Sequence, residues 1–124
     1  MGEYDGGREQ GHDGRPGRPG QAALVATTGL LTGLNRVELE GTLIELGALR
    51  YTPSGVAAIE FKLRHASSQD EAGSRRSVEA EVSAIAFEAQ ARLLAQAQPG
   101  CALTAKGFLA AKSRRSKRLI LHVT

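Results

Sequence analysis

The chain has 124 residues, a length that accommodates one domain and a terminal extension. Hydrophobic residues make up 41% of it and aromatic residues only 4%, so we expect a core of small aliphatic side chains. No apolar run approaches the roughly 20 residues of a membrane-spanning helix, and the single cysteine, Cys101, excludes an intrachain disulfide. These features predict a cytoplasmic protein that holds no structural metal or cofactor.

Positive charge is concentrated in one part of the chain, although the net charge is only +3. Residues 35–88 carry six basic and nine acidic side chains, whereas residues 89–124 carry seven basic and no acidic ones. Five of those seven lie in the segment KSRRSKR, residues 112–118. Such asymmetry indicates an anionic partner. A solvated turn that keeps the protein soluble is the alternative, and the charges alone do not decide between the two.

The N-terminal segment differs in composition from the rest of the chain. Its first twenty residues hold seven Gly and two Pro with almost no aliphatic side chains. Such a segment cannot bury enough apolar surface to offset the entropy of ordering. Residues 21–34 are apolar but show no clean period. We therefore predict a disordered Gly/Pro-rich extension over residues 1–34 and a folded domain over residues 35–124.

The first predicted strand covers about residues 36–46, where apolar residues such as Val37 and Leu39 alternate with polar ones. Gly41 occupies an inward position, and after it the apolar phase shifts by one residue. A glycine and a phase shift inside a strand predict a bulge or a sharp bend. This is the pattern of one strand that serves both sides of a small barrel.

Four further strands and one helix are predicted after a turn at residues 52–55. Alternation predicts the strands, and a run of strong helix formers ended by Pro99-Gly100 predicts the helix. In chain order the elements are strand 59–64, a polar loop at 65–76, strand 77–84, helix 87–98, and strands 102–111 and 118–123. The segment KSRRSKR is therefore the turn of the last hairpin.

The three phenylalanines receive different predictions from this pattern. Phe61 and Phe87 are expected in the core. Phe108 lies out of phase with Leu103 and Leu109 in the fourth strand, so it is expected to face DNA or a dimer partner.

Five strands with one helix between the third and fourth are the element order of the OB-fold, so the predicted fold class is mainly β. This small, partly open barrel binds oligonucleotides through the face of its second and third strands and through two loops. The corresponding loops are residues 47–56, which hold Arg50 and Tyr51, and residues 112–117. Because the fold places both basic loops on one side of the barrel, the pattern predicts a nucleic-acid-binding surface.

Six short segments and Arg76 occur in the order and at nearly the spacing of a known family. The segments are NRVELEGTL (35–43), TPSG (52–55), EFKLRH (60–65), SQDEAG (68–73), KGF (106–108) and LILH (119–122). Together they resemble the primosomal replication protein N (PriB) family, small relatives of bacterial single-stranded DNA-binding proteins. The resemblance implies a homodimeric OB-fold that binds single-stranded DNA and assists a replication-restart helicase with other primosome proteins.

Basic residues in the first hairpin loop and the last hairpin hold DNA in that family. Together with one loop aromatic and two flanking arginines, the candidate nucleic-acid-binding residues are Arg50, Tyr51, Arg64, Arg76, Lys112, Arg114, Arg115, Lys117 and Arg118. Family members also carry aromatic residues where this chain has Ser74 and Glu79. Because a stacked base contributes about 1–3 kcal/mol, we expect phosphate contacts to carry more of the binding here.

Two functions of different class remain open. The first is a single-stranded DNA-binding accessory protein of the primosome, which the acid-free residues 89–124 favour. The second is an OB-fold adaptor between primosome proteins with weak or lost DNA binding, which Ser74 and Glu79 favour. A general single-stranded DNA-binding protein is less favoured, because no acidic tail follows the fifth strand. An enzyme is not expected, because the sequence offers no P-loop and no nucleophile–base set.

Overall fold

The computed structural model describes Leu24 and residues 33–124. The predicted disordered extension therefore lies outside the described residues, apart from Leu24, Gly33 and Leu34. The chain divides into two compact units, of which the larger comprises Gly33–Ala66 and Glu79–Thr124. The described part of the smaller unit is Leu24 and the hairpin end Ser67–Val78. Over the described ranges, no helix has the length and apolar character needed to cross a membrane.

Strands dominate residues 33–124. The elements are β1 (Val37–Leu46), β2 (Arg50–Tyr51), β3 (Ala57–Glu71), β4 (Ser74–Phe87), α1 (Glu88–Leu94), β5 (Ala102–Ala111) and β6 (Leu119–Val123). The sheet order is β1-β5-β6-β4-β3-β2, and β1 also pairs with β3. The five long strands thus form a closed ring, in which β4 and β6 run parallel. With α1 between the third and fourth long strands, the predicted OB-fold is confirmed.

Strand β1 serves two partners, as its glycine and phase shift predict. Its first half pairs with β5 and its second half with β3, and the register with β3 shifts between Leu43 and Glu45. A Cβ atom on Gly41 would lie 2.9 Å from the carbonyl oxygen of Arg64. Only glycine permits β3 to approach this closely. The bend of β1 is what allows the ring to close.

The interior of the ring is filled by small aliphatic side chains, which confirms that prediction. The largest fully buried ones are Leu43, Ile59, Leu63 and Leu121. Alanines from several elements fill the remaining space, and Phe61, only 6% exposed, is the aromatic member of the core cluster within residues 33–124. Ala91 of α1 is buried against this cluster, so the helix covers one opening of the ring.

The predicted polar loop at residues 65–76 is wrong, because β3 and β4 continue as strands to a two-residue turn. Ala72 and Gly73 form that turn with φ values of 54° and 80°, the left-handed conformations that a tight hairpin turn requires. The backbone of a strand can pair without apolar side chains. Residues 65–76 are largely exposed and polar on both faces, so they lack the alternation of apolar and polar residues from which strands are predicted.

The helix is also shorter than the predicted residues 87–98. It ends at Leu94, after which the amides of Gln96 and Ala97 donate to carbonyls three residues earlier, at 3.2 and 2.9 Å. The chain then returns to β1, where Gly100 N–H donates to the Leu43 carbonyl at 2.7 Å. The pairing of this segment with β1 overrides the helix propensity of residues 95–98.

Asn35 extends the pairing of β1 with β5 by means of its side chain. Its Nδ2 donates to the carbonyl of Leu109 at 2.6 Å, and the amide of Leu109 donates to its Oδ1 at 2.9 Å. The carboxamide thus presents the same donor and acceptor as a backbone peptide group. An asparagine is therefore well suited to this position, because aspartate offers no donor.

Candidate nucleic-acid interface

The last hairpin and β2 meet at a concave surface of about 480 Å³. Its charged lining residues are Arg50, Glu60, Lys112 and Arg118, and we call it the basic concavity. Arg50 comes from β2, between β1 and β3, whereas Lys112 and Arg118 come from the connection between β5 and β6. The structure thus places cations from both predicted loops on one surface.

The segment KSRRSKR is an ordered turn. The amide of Lys112 donates to the carbonyl of Arg118 at 2.8 Å and closes the turn. Inside it, Ser116 N–H donates to Ser113 Oγ at 3.1 Å, and Arg118 N–H donates to Ser116 Oγ at 3.3 Å. The two serines therefore hold the backbone of the turn through hydrogen bonds from their neighbours.

The five basic side chains of this turn are exposed: Lys112, Arg114, Arg115, Lys117 and Arg118. Within residues 33–124, none of them forms an ion pair with a carboxylate. Five like charges so close together repel one another, and an anion that binds among them relieves that repulsion. The turn has the charge and exposure that a phosphate-binding segment requires.

Arg50 differs from the turn because it already has an anionic partner. Its guanidinium donates to Glu60 Oε2 at 2.9 Å, and both side chains are about half exposed. An exposed pair of this kind contributes at most about 1 kcal/mol, so a phosphate can replace the carboxylate. Tyr51 follows Arg50 on β2 and is 61% exposed, but it does not line the basic concavity.

The other two predicted arginines lie elsewhere in the fold. Arg64 of β3 pairs with Glu81 of β4 at 3.0 Å and does not line the basic concavity. Arg76 belongs to the hairpin end 67–78, where it pairs with Glu71 at 2.9 Å. Each of the two arginines is therefore balanced by a carboxylate on a strand.

Three rings on neighbouring strands form a stack that the sequence did not reveal. Phe87 of β4, His122 of β6 and Phe108 of β5 form this aromatic ladder. The Phe87 and His122 centroids are 6.0 Å apart with planes at 29°, and those of Phe108 and His122 are 5.0 Å apart at 11°. Phe87 and His122 line the basic concavity.

The prediction that Phe87 is a core residue is wrong. It is partly exposed and lies outside the core cluster, whose β4 members are Ala84 and Ala86. Residues of opposite parity in a strand point to opposite faces, so Phe87 lies on the outer face of the ring. Phe108 is 38% exposed and also lies outside the core cluster, as its phase in β5 predicted.

Residues 35–124 match the sequence model of a family described as another single-strand binding protein family. Replication restart protein PriB of Nitrosomonas europaea is 43% identical over 89 residues, which are 72% of this chain and 82% of that protein. The chain belongs to the PriB family. The resemblance predicted from the sequence is thereby confirmed.

Solved structures agree with the assignment to the PriB family. PriB of Ralstonia solanacearum has a TM-score of 0.67 and 33% identity, over 74% of this chain and 94% of that one. The wild-type single-stranded DNA-binding protein of Thermus aquaticus has a TM-score of 0.58 and 27% identity, over 73% of this chain and 48% of that one. This PriB-family chain thus shares the fold of a larger single-stranded DNA-binding protein.

Proposed function

We propose that this chain binds single-stranded DNA during replication restart and assists the restart helicase. The observation that carries the proposal is the exposed KSRRSKR turn, whose Lys112 and Arg118 line the basic concavity together with Arg50. Among residues 33–124, none of the turn's basic side chains has a carboxylate partner. Its relatives are named replication restart proteins, and its family is described as single-strand binding. Both names support a role in handling exposed single strands.

Phosphate contacts supply most of the expected binding energy. Each basic side chain that neutralises a phosphate releases counterions from the strand, so affinity falls as salt rises. Contacts to phosphates carry no base information, so the turn holds strands of any sequence. Binding that does not depend on base sequence suits an accessory factor that must bind wherever a replication fork has stalled.

Titration of a fluorescently labelled oligothymidine, followed by anisotropy, tests the proposal. If the KSRRSKR turn neutralises about four phosphates, it contributes about −3 to the log–log salt slope, which alone lowers affinity about 50-fold between 50 and 200 mM salt. A duplex of the same length is the matched control, because it presents phosphates on both strands while its bases are paired. Equal binding of the two would show an affinity for phosphates in general and not for single strands. Absence of saturable binding at the lower salt would contradict the proposal.

An adaptor between primosome proteins is the second candidate. The pairing of Arg64 with Glu81 favours it, because it neutralises part of the β3–β4 face that OB-folds use for oligonucleotides. An adaptor binds the restart helicase whether or not the KSRRSKR turn is charged. The test replaces the turn's basic residues by alanine and measures binding to DNA and to the helicase. A variant that no longer binds DNA but binds the helicase with unchanged affinity would establish the adaptor role.

We further propose that the chain forms a homodimer. Large apolar side chains such as Leu119, 63% exposed, and Phe108 lie on the surface of the described domain and are suited to an interface. Sedimentation equilibrium at micromolar concentration is expected to give twice the chain mass of 13.1 kDa. A mass of one chain over this range would refute the dimer.

A further inference from the structure

We propose that one base of the bound strand binds in the basic concavity by stacking on Phe87 and contacting the edge of His122, with Phe108 on the far side of His122 as a positioning residue. The inference rests on the proposed function, because it assigns a base site next to the phosphate-binding turn. The ligand class is a nucleobase of single-stranded nucleic acid, whose neighbouring phosphates contact Lys112 and Arg118.

The ladder exists because three strands bring one ring each to the outer face of the closed ring. His122 is paired across the antiparallel ladder with Phe108, and across the parallel ladder with Ile85, two residues before Phe87. Gly107 permits this arrangement, because a Cβ atom there would collide with the carbonyl oxygen of His122. The rings are therefore held in place by backbone pairing on both sides of β6.

Apolar side chains complete the surface on which a base would lie. Ile85 and Ile120 line the basic concavity beside the two rings. Ile120 is only 4% exposed but is not a member of the core cluster. It is therefore buried on the outer face of the ring and not in the interior. Two rings and two isoleucines form a surface of the kind that planar ligands bind by stacking and desolvation.

The geometry of the stack determines where the base binds. Phe108 and His122 are nearly parallel and close, so no base can enter between them. Phe108 does not line the basic concavity, whereas Phe87 and His122 do. Because His122 lies between Phe108 and Phe87 in the stack, the base contacts the ring of Phe87 and the edge of His122, and Phe108 fixes the plane of the imidazole from the far side.

Charge identifies the ligand as a nucleotide rather than an apolar protein segment. The acid that lines the concavity, Glu60, is paired with Arg50, whereas Lys112 and Arg118 have no carboxylate partner among residues 33–124. A nucleotide presents a planar ring and an anion within one unit. The volume of about 480 Å³ also lies in the range of about 300–1,000 Å³ usual for small-ligand sites.

The test compares an oligothymidine with its fully abasic analogue, which keeps every phosphate. The wild-type chain is expected to bind the abasic strand about 5- to 150-fold more weakly, the effect of a single stacked base. His122→Ala is expected to bring the two affinities close together, whereas His122→Phe keeps the difference. Neither variant is expected to change the salt slope, because the cations remain.

The outcomes separate the inference from the proposed function. Equal binding of both strands by the wild-type chain, or an unchanged difference in His122→Ala, would overturn the base site while leaving DNA binding intact. Failure to bind either strand would overturn the proposed function and the inference alike. If His122→Ala unfolds, Phe87→Leu, which keeps apolar volume but removes a ring, gives the same comparison.

One alternative occupant is a second copy of the chain. In that case His122→Ala would sediment as a monomer while the wild-type chain does not. That result would overturn the base site in favour of a dimer interface. Unchanged sedimentation of His122→Ala, together with the loss of base dependence, supports the base site.

Discussion

Removing four positive charges from the KSRRSKR turn is expected to weaken binding of single-stranded DNA roughly several-hundred-fold at 0.1 M salt. The variant replaces by alanine Lys112, Arg114, Arg115 and Lys117. Each neutralised phosphate contributes about 0.7 to the log–log salt slope, so four lost contacts flatten it by nearly 3. Affinity is expected to fall equally for different base sequences, and the fold is retained because the turn is exposed.

Two further variants control for net charge and for the Glu60 carboxylate. Arg92→Ala removes one charge from α1, outside the basic concavity, and is expected to have little effect compared with Arg114→Ala. Glu60→Gln removes a carboxylate from the concavity and frees Arg50, so it is expected to tighten binding. Circular dichroism checks that the four-fold variant is folded. If it is folded and its affinity and salt slope equal those of the wild-type chain, the turn has no role in DNA binding.

Gly107→Ala is expected to lower the free energy of unfolding by about 3 kcal/mol, at the upper end for overpacking. The added methyl would collide with the backbone carbonyl of His122, and a backbone atom cannot rotate away as a side chain does. Strands β5 and β6 must then separate where Phe108 pairs with His122. For a domain of this size the loss corresponds to roughly 12–24 °C in melting temperature, measured by thermal denaturation.

Gly55→Ala is the comparison for this prediction. Gly55 has a φ of 86°, and a Cβ atom there would meet nothing within 4 Å, so only backbone strain of about 1–2 kcal/mol is expected. A melting temperature of Gly107→Ala equal to that of the wild-type chain would show that β5 and β6 separate without cost. The collision would then not explain the glycine of the KGF segment.

The order of the elements along the chain and the bend of β1 were predictable because they depend on local patterns. Alternation located the five long strands, and Gly41 with its phase shift marked the place where β1 changes partner. The bounds of β1, β5 and β6 agree with the predicted ones to within one residue, whereas those of β3, β4 and α1 were not predictable, because they depend on partners elsewhere in the chain. The polar continuation of β3 and β4 toward Ala72, and the early end of α1, are of this kind.

The candidate site was predictable only in part for a similar reason. Five charges in seven residues make KSRRSKR a candidate anion-binding segment without knowledge of the fold, although they do not exclude a solvated turn. The ion pair of Arg50 with Glu60 depends on the pairing of β2 with β3. A strand of only two residues has no alternation from which that pairing could be predicted. The aromatic ladder requires the parallel pairing of β4 with β6, and no local pattern contains it. Only the phase of Phe108 pointed to the outer face.

The closed ring has a consequence for how the chain reaches its native state. Val37 pairs with Gly107, 70 residues later, so this pairing cannot form until most of the domain has been synthesised. Folds dominated by such distant pairings fold in milliseconds to seconds, not microseconds. Until β5 arrives, β1 presents one unpaired edge to other nascent chains, a recognised cause of aggregation. The exposed glutamates Glu38 and Glu40 lie on that edge, where like charges on two chains repel and protect the unfinished domain.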